Sequence, residues 1–225
     1  MKKLITPALY LDWKIAVLSI GSTLLLILDA YHPALIPWNR IVLFGRAVSP
    51  GWLSIPGQDL DRTILFLVIP LMITLLIFRE NPKDYGFAVG DWRMGLLLTL
   101  AGILLMAPLL WLVSHASVDM QTYYQSKVGD VPWNTFVDLF GWEYLFRGWL
   151  LFGYARKFGP EALWLQAVPF SLAHIGKPEV ETLSTIFGGF AFGWVAWKTK
   201  SFIWPMLIHW FVASFVILVT AGIHG

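Results

Sequence analysis

Four ionisable side chains stand in stretches that otherwise read as lipid-spanning: Glu143 and Arg147 in GWEYLFRGWL, His174 in VPFSLAHIG and His209 in WPMLIHWFVA. A titratable group at bilayer depth costs at least about 2.5 kcal/mol, so its presence on three separate stretches marks a site. Glu143 and Arg147 are four residues apart and share a helix face, where carboxylate and guanidinium offset part of each other's burial cost. A glutamate in a partly wet apolar pocket is a usable base for a water molecule. Histidine donates to an oxyanion or relays a proton near neutral pH. Base, water and oxyanion donor together are what peptide hydrolysis needs. Zinc is the competing chemistry, because Glu143, His174 and His209 give the two-His, one-Glu ligand count of an open catalytic site. No HExxH pair pre-places such ligands on one helix, and Arg147 beside Glu143 opposes a dication, so the expectation is a reaction without cofactor or metal.

The elements that must position these residues follow from composition. Hydrophobic residues make up 57% of 225 and charged residues 13%, with a mean hydropathy of +0.67, which is the balance of an integral membrane protein. The absence of cysteine excludes disulfides, thiolate catalysis and Cys-ligated metals, and a net charge of +2 is too small and dispersed for nucleic-acid binding. Thirteen Trp and seven Tyr fit interfacial aromatic belts. A crossing helix needs about 20 mainly apolar residues, and the segments that approach this are Ile15–Leu28, Thr63–Phe78, Met94–Ser114, Trp133–Tyr154, Glu161–His174, Thr182–Trp197 and Phe202–Ala221. The expected fold is therefore all-α, a polytopic transmembrane bundle of about seven spans. Within the Pro/Gly/Trp-rich stretch from His32 to Asp61, Ala34–Val48 is expected to form an interfacial or re-entrant helix.

Basic residues orient the bundle. Lys2, Lys3, Lys14, Arg79, Lys83, Arg93, Arg156, Lys157, Lys198 and Lys200 fall on the N-terminal side, and Arg40, Arg46, Arg62, Lys127 and Lys177 on the other. The positive-inside rule then puts the N-terminus in the cytoplasm, in what is expected to be a bacterial plasma membrane. At about 1.5 Å per residue, Glu143 and His209 both come near the bilayer midplane, with His174 nearer one side. The plain readings are a Glu–Arg pair serving as structural glue and histidines serving as packed hydrogen-bonders; the coincidence of all four outweighs them. His32, His115 and His224 read as loop or helix-end residues. The glycines from Gly188 to Gly193 read as close helix packing.

The three motifs resemble those of the CAAX-protease and bacteriocin-processing family of intramembrane endopeptidases, whose patterns are EExxxR, FxxxH and a histidine followed four residues later by Asn or Asp. Here Trp142-Glu143-Tyr144-Leu145-Phe146-Arg147 occupies the first, Phe170-Ser171-Leu172-Ala173-His174 the second, and His209-Trp210-Phe211-Val212-Ala213 the third. Trp142 stands where the family has its first glutamate, and Ala213 where it has a polar residue. Gly148 and the run His174-Ile175-Gly176-Lys177-Pro178-Glu179-Val180-Glu181 are similar to a variant branch with WExxxRG and HxGKPxxE. The resemblance implies residues 1–78 as N-terminal helices with an interfacial segment and 79–225 as the family core. It implies intramembrane proteolysis of a peptide or membrane-protein substrate, with or without a lipid attached. Glu143 is then the base or water-positioner, Arg147 its orienting partner, and His174 and His209 the oxyanion stabilisers. Glu181 is the candidate second acid, against a plain role among the acids of a helix N-terminus. The alternative is a protease-dead relative serving as a scaffold, immunity or transport-associated membrane protein.

Overall fold

The Asp12 carboxylate accepts from the backbone N–H groups of Lys14 (3.1 Å) and Ile15 (3.4 Å), and from that cap α1 runs Trp13–Tyr31. The computed structural model describes residues 11–32, 36, 42–43, 46–47 and 57–224. Of the expected helix over Ala34–Val48, the described residues are a bend at Ile36 and two strands, β1 (Val42–Leu43) pairing antiparallel with β2 (Arg46–Ala47), and the rest lies outside the described residues. Only two positions of the sequence, Phe44 and Gly45, separate the paired strands, and a ladder closed that tightly leaves no length for a helical turn.

Helix α2 occupies 57–78 and changes to wide π-type turns over Ile64–Val68 and Ile73–Phe78, on either side of Pro70, whose ring nitrogen has no N–H to give. Asp91 caps α3 (Trp92–Ala116) through the Met94 N–H at 3.0 Å, and Ser117 caps the short α4 (Val118–Tyr124). Helix α5 occupies 133–158, again with π-type turns at Tyr144–Leu150. Then follow α6 (Ala162–Leu172), α7 (Glu179–Thr199) and α8 (Ile203–His224). The seven apolar segments thus each carry a helix, and α1, Gln58–Phe78, α3 and Ile203–Gly222 are each long and apolar enough to cross a membrane. Helix α6 is shorter than expected: its 11 residues rise about 16 Å, half a hydrocarbon thickness, and it ends before His174, which sits in the turn beyond.

Helix α5 is the axis of the bundle. Every residue from Gly141 to Tyr154 is buried, the pattern of a helix enclosed on all sides rather than one with a single apolar stripe. Trp149, Tyr144, Phe146 and Phe66 form the centre of the core around it. Helix α3 is the opposite case, with 11% of its apolar window buried, and presents leucines outward as a lipid-facing surface. The glycines of α7 act as expected at two positions: a Cβ on Gly189 would meet Ala167 at 3.0 Å, and one on Gly193 would meet Gln166 Nε2 at 2.7 Å. Their lack of side chain is what lets α6 lie against α7. At the N-terminal end of α1, Glu80 accepts from Lys14 Nζ (2.6 Å), Tyr85 Oη (2.6 Å) and Arg156 Nη1 (2.5 Å), which ties α1, the 79–91 connection and α5 together.

Candidate active site

The polar residues of three elements converge beside the midpoint of α5. Glu143 is the last residue before the π-type turns and has no exposed surface; Arg147, within them, is equally buried. Arg147 Nη1 lies 3.2 Å from Glu143 Oε1, and its guanidinium stacks over the Phe170 ring at 3.8 Å, with the Phe192 ring at 5.3 Å. The aromatic face supplies the cation with the favourable electrostatics that water would otherwise provide. π-type turns interrupt regular helices mostly where a function needs a side chain re-aimed, and here they begin at the residue after Glu143.

His209, on α8, donates from Nδ1 to Glu143 Oε1 at 2.7 Å. One carboxylate oxygen therefore serves both the histidine and the arginine, while Oε2 has no hydrogen-bond partner among the described residues. His174, just past α6, donates from Nδ1 to the Phe170 carbonyl at 2.7 Å. Phe170 is the packing hub of the group: its ring lies 4.5 Å from that of His174 and 6.0 Å from that of His209, besides carrying Arg147. Both histidines reach one cavity of about 420 Å³, together with Trp142 and Ala213. Glu143 itself is fully buried and does not line that space.

The cavity continues to a charged rim that the motifs do not contain. Arg62 donates from Nε to Asp29 (2.7 Å) and from Nη1 to Asp138 (3.1 Å), joining α1, α2 and α5. Asp138 precedes Trp142 by one helical turn and so shares its face. Its signal is present in the sequence, an acid inside the apolar stretch Trp133–Tyr154, by the rule that singles out Glu143. Phe170 carries no such signal, since a phenylalanine in an apolar run is ordinary packing. Glu181 is not brought to Glu143. It lies in the first turn of α7, accepts from Tyr124 Oη (2.6 Å) and pairs with Lys177 Nζ (2.9 Å) beside the rim. For the ligand reading, the described residues contain no group of three His, Asp or Glu side chains arranged to hold a metal ion.

The site is thus a buried carboxylate, compensated by one cation, that hands its second contact to a histidine lining a cavity that another histidine also lines. The protein is an integral membrane protein by its apolar helices. No curated protein and no solved structure matches the chain. Residues 124–215, the stretch that carries Glu143, Arg147, His174 and His209, match the family model of Type II CAAX prenyl endopeptidase Rce1-like proteins, so in that core the chain is similar to the proteases its three motifs resemble.

Proposed function

We propose that the chain hydrolyses a peptide bond at membrane depth, with the Glu143–His209 pair and His174 acting on a water molecule and a bound carbonyl in the cavity. The observation that carries this is the 2.7 Å contact between Glu143 and His209 next to a cavity that also receives His174, within an Rce1-like segment. Glu143 supplies the negative charge that makes water a nucleophile near neutral pH, and Arg147 holds that carboxylate in place. The substrate is a peptide or the end of a membrane protein, with or without a prenyl group, and the reaction needs no metal. The N-terminus lies in the cytoplasm, which the basic residues flanking that end of the bundle support.

A second reading rests on Trp142 and Ala213, which face the cavity where the family has polar side chains: a non-catalytic binding scaffold. Purified protein in liposomes, given a broad library of plain and prenylated peptides, decides between them. The expected result is cleavage that persists in chelator, with substoichiometric zinc by elemental analysis, and a drop of about 10²-fold or more in Glu143→Gln. A wild type that cleaves nothing makes the scaffold the better reading. One zinc per chain, lost together with activity in His209→Ala, replaces the water-only mechanism with a zinc one.

A further inference from the structure

We propose that the group taking the proton from water is His209 Nε2, and that Glu143 acts through it as a positioning residue; this rests on the peptidase reading above. Three observations carry it. First, Glu143 has no exposed surface, whereas the His209 side chain is 10% exposed and lines the cavity, so the histidine is the member of the pair that meets water. Second, a carboxylate only accepts, so the 2.7 Å contact fixes the proton on His209 Nδ1 and leaves Nε2 with a lone pair. Third, Arg147 Nη1 lies 3.2 Å from the same carboxylate oxygen, so the atom that faces His209 is also the one held by the cation.

His174 is fixed in the same way. The Phe170 carbonyl can only accept, so Nδ1 of His174 carries the proton and its Nε2 is also an acceptor. In its neutral form it cannot donate to an oxyanion from the nitrogen left for the cavity. Two lone pairs on one cavity suit a single water molecule, which has two protons to give. His209 takes one, and His174 orients the other.

The step balances. Water passes a proton to His209 Nε2 while its oxygen bonds to the substrate carbonyl carbon and the C=O π pair moves onto oxygen. The imidazolium, stabilised by Glu143, gives the same proton to the amide nitrogen. The C–N bond breaks with its electrons on nitrogen, the carbonyl re-forms, and an acid and an amine leave. Neutral His209 is regenerated. The arrangement compensates for Trp142, which cannot act as a base: the remaining glutamate works at one remove, through a ring that extends its reach into the cavity.

Two measurements on the full-length protein in lipid bilayers test this. Nitrogen NMR of histidine-labelled protein, with His209 assigned by its loss in His209→Gln, should show neutral His209 protonated at Nδ1 and bare at Nε2. In Glu143→Ala that preference should shift to the Nε2–H form, a change that loss of packing alone does not produce. In the turnover assay, His209→Ala should lower kcat by about 10²-fold or more with KM within a few-fold, and imidazole in the buffer should restore part of it. A wild-type His209 protonated at Nε2 overturns the assignment, with or without turnover. So does a His209→Ala variant that cleaves as fast as the wild type. A wild type that cleaves no peptide while showing the Nδ1–H form instead overturns the peptidase reading, and the base role with it.

Discussion

Arg147→Met isolates the buried ion pair from the packing around it. The guanidinium is fully enclosed, 3.2 Å from Glu143 Oε1 and 3.8 Å over Phe170. Methionine fills most of the same apolar space and adapts to its walls, so the cavity contribution is small. Lost are the charge pairing and the desolvated cation–π contact, the latter about 2 kcal/mol on its own. Breaking a buried pair costs about 3–5 kcal/mol in all, because the partner charge remains without compensation. Arg147 Nε, Nη1 and Nη2 make no hydrogen bond in the described structure, so removing them leaves no orphaned acceptor other than Glu143, which places the expectation near the lower end, about 3 kcal/mol. That is roughly a 100-fold loss in the folding equilibrium. Adding Glu143→Gln removes the stranded charge while its amide oxygen still accepts from His209 Nδ1, so the double variant should recover about half of the loss or more. The assay is reversible unfolding in detergent micelles, read as a double-mutant cycle. A cost below about 1 kcal/mol for Arg147→Met, or strict additivity of the two substitutions, would refute the compensated-pair account.

Two further outcomes follow from residues outside the site. Gly95→Ala should destabilise by about 1–3 kcal/mol, because its Cβ would enter the Trp204 indole, itself fixed by a 2.7 Å hydrogen bond to the Val89 carbonyl; Gly129→Ala, with nothing within 4 Å, is the control expected to leave the melting temperature unchanged. The Glu80 carboxyl is pushed up by burial but more strongly held down by Lys14, Tyr85 and Arg156, to about 2 from 4.5. A folded-state value below the unfolded one stabilises above pH 4.5 and loses that contribution as pH falls toward 2, so detergent-solubilised wild type should lose stability across that window and Glu80→Gln should show a flatter profile, the comparison being made by thermal unfolding at each pH.

What the sequence makes legible is what depends on residue type and a fixed rise per residue. Seven apolar stretches become seven helices because backbone groups in lipid must be satisfied within the segment. Glu143 and His209 are expected at one level because about 1.5 Å per residue carries each a similar distance along its helix, and they meet at 2.7 Å. Rotation is a different matter. A helix buried on every side, as α5 is from Gly141 to Tyr154, has no apolar stripe to say which face meets which neighbour, so the aim of Glu143 into α8 is set by packing alone. The π-type turns after Glu143 shift that aim again, and nothing in Tyr144–Leu150 announces them. The rim Asp29–Arg62–Asp138 joins residues from three helices, a partnership that no spacing within one segment encodes. The same holds at the level of single atoms. Spacing places His174 four residues after Phe170, but the partner that decides which ring nitrogen keeps its proton is the Phe170 backbone carbonyl, a group every residue has. That carbonyl has no backbone N–H from His174 to serve, because α6 stops at Leu172 and the His174 N–H turns to the Ser171 carbonyl instead. The contact with that carbonyl fixes the tautomer, and under the proposed hydrolysis the tautomer decides whether His174 gives a proton to the substrate or holds the water that attacks it.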